Sequence, residues 1–340
     1  MKLRYTSIEL QLRRTFRIAH GASDTRRNLL LRLDEGWGEA APVAYHGEDA
    51  EFVAAFLEHH RHVIEALSDP SAIVWLMRRL DGSQAGRAAV DMALHDALGR
   101  RLGTPVRALL GLSILAHAPT SFTLPIASPD ELAVQAQAAA AYPILKVKLG
   151  GSDDLQALRI IREHAPSARL RVDANGGWTV EQGLALLPVL ADMGVELVEQ
   201  PLPKGEIEGL RQLRRAAHGL PIIADESVRV ARDIPPLAGA VDGVNIKLQK
   251  AGGIIEALAA IQTARAHDMR VMLGCMIESS LGVAAALALA PLADDLDLDG
   301  PLLIANDPFS GIVFEGAVLV PPQAPGLGVQ PSVSLTDLIP

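Results

Sequence analysis

The chain has 340 residues, about half of them hydrophobic, with 31 basic and 40 acidic side chains and a formal net charge of −9. That length suits one large domain or a barrel with a smaller partner, and an acidic balance with scattered basic residues argues against nucleic acid or an anionic membrane surface. The single cysteine, Cys275, excludes a disulfide framework; without a leader-like start or a span-length apolar run, the expectation is a soluble cytoplasmic protein.

Taken in chain order, the first 33 residues predict short strands, LRYTSIELQL and NLLLRL, and then a turn-rich stretch, WGEAAP. Helices are predicted over Ala50–Leu67 and Ser83–Leu102, the second stopped by Gly103 with Pro105 just beyond. Strands followed by helices make residues 1–113 a small α+β unit. From residue 114 the pattern changes. The apolar runs SFTLPI, ILKVKLG, LRLRVDAN, VELVEQP, PIIADES, GVNIKLQ, RVMLGCM and DLDLDGPLLI alternate with amphipathic helices. Ser128 and Thr179 open capping boxes, and Ile254–His267 carries apolar positions at helical spacing. Eight such units predict an α/β fold, a (β/α)8 barrel over 114–314, with 315–340 returning to the N-terminal unit. An open doubly wound sheet is the alternative; no glycine-rich fingerprint follows the first strand to support it.

In such a barrel the C-terminal strand ends converge on one site. This chain places there Lys146 and Lys148, then Asp173, Glu199 and Asp225, then Lys247, and later Asp297. Any one acid could simply cap the following helix. Three at successive strand ends, with no histidine or cysteine in step, suit a hard cation such as Mg²⁺ or Mn²⁺ rather than zinc. Lys146 and Lys148 share a strand face, so each is expected to lower the other's pKa into the range of a usable base. Lys247 lies four strands later and faces Lys148 across the mouth. Two bases on opposite sides of one carbon could remove and return the proton beside a carboxylate. A divalent ion on the carboxylate oxygens would stabilise the second negative charge, which is the lysine-plus-Mg²⁺ pattern already described for the enolase superfamily.

With these residues named, the chain resembles the muconate-lactonizing subgroup of that superfamily over nearly its full length. WGEAAP and AAVDMALHDALGRRLGTPVRALLG are similar to the family's capping domain; KVK, VDAN, EQP, ADES and NIKLQKAGG match the barrel motifs in order and spacing. The resemblance implies one Mg²⁺ per site, Mn²⁺ being the alternative, on Asp173, Glu199 and Asp225. It makes Lys148 and Lys247 the acid/base pair with Lys146 supporting Lys148, and puts Asn175, Glu226 and Asn245 behind the ligands. The subgroup includes muconate cycloisomerases, o-succinylbenzoate synthases, N-acylamino acid racemases and dipeptide epimerases. Asp297-Leu298-Asp299 resembles the Asp-x-Asp motif of dipeptide epimerases of the L-Ala-D/L-Glu type, two carboxylates suited to a substrate ammonium; the neighbouring Asp294 and Asp295 make the stretch acidic, and a solvated loop, the less favoured reading, could look like it. GCMIESSLG resembles their seventh strand, putting Met276 and Ile277 on the substrate wall and Cys275 in the interior.

Side-chain selection is expected from cap loops, here Ile18–Arg26 and Ala44–Asp49. His20 then stands where Ala-Glu epimerases can carry an arginine, with Arg26 and Arg27 as substitutes. Asp24, Glu48 and Asp49 would favour a cationic or polar side chain if they face inward. The expected partners are a small-molecule substrate, a dipeptide, and further copies of the chain as a homo-oligomer. The other readings are a lyase or cycloisomerase of the same subgroup, a Schiff-base aldolase with a barrel lysine, and a non-catalytic binding barrel.

Overall fold

The computed structural model describes residues 1–340 apart from 20, 113–117, 151–152, 317, 333–334, 336–338 and 340. The N-terminal unit is an antiparallel sheet of β1 (Leu3–Ile18), β2 (Gly21–Leu33) and β3 (Gly36–Ala40), backed by α1 (Ala50–Glu65) and α2 (Gln84–Arg101). The strands are longer than the short runs expected, so most of the supposed loop Ile18–Arg26 is hairpin. WGEAAP is likewise corrected, since β3 runs through it. Its glycines serve contact rather than turning: a Cβ on Gly36 or Gly38 would collide with the backbone of α2 at Ala93 or Ala89. The helices start where local chemistry sets them. Asp49 accepts from Phe52 N at 2.7 Å and Ser83 from Gly86 N at 2.9 Å. Pleating sends Leu29, Leu31 and Leu33 into the cap's own core, while Leu30 joins the core of the barrel.

The barrel is a parallel sheet of β4 (Phe122–Leu124), β5 (Ile144–Lys148), β6 (Arg169–Asp173), β7 (Val195–Glu199), β8 (Ile222–Ala224), β9 (Gly243–Lys247), β10 (Arg270–Gly274) and β11 (Asp295–Asp297). A parallel bridge between Thr120 and Leu296, with Ser121 N donating to Leu296 O at 3.1 Å, closes it. Helices α3 (Pro129–Ala138), α4 (Asp154–His164), α5 (Val180–Asp192), α6 (Ile207–Ala216), α7 (Ile254–Ala266) and α8 (Ser280–Leu287) pack outside; both predicted capping boxes are formed. Between β8 and β9 the chain makes 3-10 turns, Ala231–Asp233 and Pro235–Leu237, in place of a helix. Below the mouth, Leu197, Ile223 and Met272 fill one side of the lumen. Arg171 bonds Asp295 at 2.7 Å across the other, and Asp294 bonds Arg265 at 2.7 Å. Asp295 is therefore buried in the strand, while Asp294 is exposed but held by Arg265. Among the described residues no helix is long and apolar enough to cross a membrane.

Cap and barrel are joined by acids of one capping helices of the other. Asp91 on α2 accepts from Ile254 N at the start of α7. Glu39 on β3 accepts from Ser279 N, Ser279 Oγ and Gly282 N at 3.0, 2.5 and 3.1 Å at the start of α8. The β1–β2 hairpin lies over the barrel mouth. Leu10 packs with Ile277 and Ile304, Arg17 O accepts from Ile126 N at 3.0 Å, and Ala19 rests on Gly150 and Gly177. The C-terminal stretch runs beside the cap: Val106 N donates to Gly326 O at 2.8 Å, Leu327 N to Asp96 Oδ1 at 2.8 Å and Arg100 to Val329 O at 3.0 Å.

Candidate functional site

The lumen-facing alternation of β5 puts Lys146 and Lys148 one above the other, and each next strand adds one acid at its end. Carboxylate oxygens of Asp173, Glu199 and Asp225 all lie within 4.8 Å of one another, in a fully interior position. Lys148 Nζ donates to Asp173 Oδ2 at 2.7 Å and Lys247 Nζ to Asp225 Oδ2 at 2.8 Å, from the second and sixth strands of the barrel. Lys146, 2 % exposed, bonds Asp297 Oδ2 at 2.6 Å and lies 2.7 Å from Glu199 Oε2 and 3.1 Å from Asp173 Oδ2. Behind the acids, Asn245 Nδ2 donates to Glu199 Oε1 at 2.9 Å, and Asn175 uses its backbone N on Asp173 (2.9 Å) and its Nδ2 on Glu226 Oε1 (3.0 Å). Asn175 and Gln200, just beyond their strands, take left-handed backbone conformations, with φ of 45° and 35°. Gln200 Oε1 accepts from Asp225 N at 2.9 Å, fixing that strand end.

The electrostatics correct one expectation. Burial alone would depress Lys146, but Asp297, Glu199 and Asp173 outweigh it and hold its pKa well above the ordinary lysine value. Lys247 is raised as well; burial opposes the shift and Asp225 drives it. Lysine–lysine repulsion is the weaker effect at Lys146, which has three carboxylates within 3.1 Å of its Nζ. The acids divide the cost. Burial would raise Asp173, yet Lys148 and Lys146 hold it down at about 2, whereas burial and the Asp173 charge push Glu199 up to about 8. Three carboxylates this close are overloaded with negative charge, and an all-oxygen donor set of this size fits a hard divalent ion.

Asp297 and Asp299 stand at the end of β11, both buried. Asp297 Oδ1 has no hydrogen-bond partner, whereas Asp299 Oδ2 accepts from Thr123 N at 2.7 Å and is pushed up to about 6, by burial first and Asp297 second. Ile277 sits under the cap hairpin, its carbonyl accepting from Asn28 at 3.0 Å; Met276 N donates to Glu278 at 2.8 Å. His20 lies outside the described residues. The loop acids are all engaged in bonds to the protein, Glu48 also with Arg229 of the loop after β8 at 3.2 Å. Asp24 bonds Thr15 and Asp49 caps α1, while Glu48 accepts from Ser83, Gln84 N and Ala85 N at the start of α2. Arg27 pairs with Glu51 on the surface and Arg26 donates to Thr25 O.

Sequence reasoning missed Lys250, which is buried and bonds Asp225 Oδ1, Asp225 O (2.6 Å) and Asn245 O (3.1 Å). It missed Gln249 and Glu278 beside it, and His46, whose pKa burial and the Lys250 charge lower to about 4. The KLQK spacing after β9 was the available signal: a second lysine one helical turn beyond Lys247 returns to the same site.

Residues 130–334 match the family model described as enolase C-terminal domain-like, and residues 3–111 match that of the mandelate racemase/muconate lactonizing enzyme N-terminal domain. The chain is 36 % identical to an L-Ala-D/L-Glu epimerase of Bacteroides thetaiotaomicron, over 97 % of this chain and 88 % of the relative. It is 37 % identical to a hydrophobic dipeptide epimerase of Roseobacter litoralis, over 96 % and 98 %. A solved structure, a dipeptide epimerase from Enterococcus faecalis complexed with Mg and L-Leu-L-Tyr, superposes with a TM-score of 0.91 at 30 % identity, over 97 % of this chain and 98 % of that one.

Proposed function

The chain belongs to the mandelate racemase/muconate lactonizing enzyme family of the enolase superfamily, and from that premise we propose that it is a Mg²⁺-dependent dipeptide epimerase. It inverts the α-carbon of the second residue of an L,L-dipeptide by moving a proton from one face and returning it from the other. The observation that carries this reading is the pair of ammonium groups, Lys148 and Lys247, bonded to different members of one acidic triad from opposite sides of the lumen. Asp173, Glu199 and Asp225 hold the ion. When bound, it supplies the positive charge that makes a second negative charge on the substrate carboxylate tolerable.

The chain's own residues do the rest. With the triad's charge balanced, Asp173 and Asp225 would hold Lys148 and Lys247 less tightly, so that one lysine, as the free amine, takes the α-proton while the other, as the ammonium, returns one to the opposite face. The enolate between them is planar, so the face of reprotonation sets the configuration. Asp297 Oδ1, buried and without a partner, receives the substrate ammonium, with Asp299 beside it. Asn245 and Asn175 keep Glu199 and Asp173 oriented. A succinylbenzoate or muconate substrate carries no cation for Asp297, which favours the dipeptide.

Proton NMR in D₂O tests this with pooled L,L-dipeptides and Mg²⁺. The α-proton signal of the second residue disappears and L,D product grows, and both changes stop with EDTA or Lys148→Ala. A folded, Mg²⁺-binding protein that exchanges no α-proton in any pool would overturn the proposal.

A further inference from the structure

Beyond the site, the buried polar groups most tightly knit together lie where the cap meets the end of β9. One turn of helix, Leu248–Ala251, follows Lys247 directly. On one side of it Lys250 grips the site through Asp225 and the carbonyl of Asn245. On the other, Gln249 is 3 % exposed and uses its whole amide: Oε1 accepts from Ala41 N at 2.9 Å, and Nε2 donates to Glu39 O at 3.0 Å and to Glu278 Oε2 at 2.9 Å. Ala41 and Glu39 belong to the cap's β3 edge, and Glu278 to the loop after β10. Glu39 in turn anchors α8 through Ser279 and Gly282. Three segments distant in sequence therefore meet on one amide two residues from Lys247. Lys148 has no counterpart among the described residues, since β5 leads into the Gly150 loop.

We propose that Gln249 is a positioning residue for Lys247, through which seating of the cap on the barrel sets where that ammonium lies. A buried amide held at both ends by three hydrogen bonds is fixed in position, and two residues of backbone then leave Lys247 little freedom. The kinetic part of this rests on the epimerase reading. Each epimer is deprotonated by the lysine on its own face, so the loss of Gln249 must be lopsided.

The test is Gln249→Met, with Lys247→Ala identifying the epimer that depends on Lys247. α-Proton exchange from that epimer falls about tenfold, the effect of one disturbed buried hydrogen-bonding group, while exchange from the other epimer and the Mg²⁺ dissociation constant stay within about twofold. Equal losses from both epimers, or none, overturn the proposal. A second readout needs no substrate. In hydrogen exchange followed by mass spectrometry, Ala41 and residues 247–251 lose protection together in the variant, while residues 144–148 keep theirs. Unchanged protection at Ala41 overturns the latch even if no dipeptide is ever turned over, an outcome that would count against the proposed activity alone. Where Gln249→Met does not fold, Gln249→Asn carries both measurements, because the shorter amide cannot span Ala41 and Glu278 together.

Discussion

At the scale of single residues, the site is a contest between burial and charge, and the winner differs at each position. Asp297 keeps one buried oxygen without a partner, so Asp297→Asn removes the attraction for a substrate ammonium and raises the dipeptide KM by about 10–100-fold, the span of a lost charged hydrogen bond. An N-acetylated dipeptide, which has no ammonium, should lose that factor on the native enzyme and lose nothing further on the variant; steady-state kinetics with both substrates decide it. Glu278 gives a pH signature. Burial, then the neighbouring Glu39, raises it from 4.5 to about 7. A raised pKa means the folded protein holds the proton more tightly than the unfolded chain, so the relative stabilisation is complete below about pH 4.5 and is lost as pH climbs through about 7. Glu278 should therefore contribute about 2 kcal/mol to the fall in stability between pH 5 and 8, alongside Glu199, and Glu278→Gln should reduce the slope of the melting midpoint against pH. An unchanged slope would mean that this carboxyl is not among the titrating groups. The carboxylate triad was legible because strand ends recur at even spacing. The lysine pKa values were not, because they depend on four acids drawn from four other strands.

At the scale of elements, what could be read locally was read correctly. The starts of α2, α3 and α5 follow from Ser83, Ser128 and Thr179, whose side chains bond amides three residues on. The third strand was not legible, because Gly36 and Gly38 in and beside WGEAAP look like turn residues until α2 is laid against them. Gly38→Ala tests that account: its methyl would meet the backbone at Ala89, which cannot swing aside as a side chain can, and the cost is about 3 kcal/mol or more. Thermal unfolding of the variant is the measurement, and a midpoint equal to the parent's would show that the sheet and helix can separate freely. The same nonlocality hid Gln249 and Glu39. Each looks like an unremarkable polar residue until elements some two hundred residues apart are brought together, 210 positions in the case of Gln249 and Glu39.

For the molecule as a whole, negative charge concentrated at one end of the barrel couples ion binding to folding. An ion that binds only the folded state stabilises it by about 2.7 kcal/mol at a hundred times its dissociation constant. Mg²⁺ should raise the melting midpoint relative to EDTA, and Glu199→Gln should shrink the difference; an ion response that survives in Asp173→Asn and Glu199→Gln alike would place the cation elsewhere. The eightfold alternation of the sequence conveyed the barrel, but not how its two ends are tied. Leu327 binds Asp96 across 231 positions, and Gly326 lies against Thr104 and Val106. The cap is thus built from two stretches of chain that flank the barrel in sequence. On the ribosome the strands and helices that precede the barrel emerge long before residues 326–329, so they wait with one flank uncovered while the whole barrel between them is synthesised.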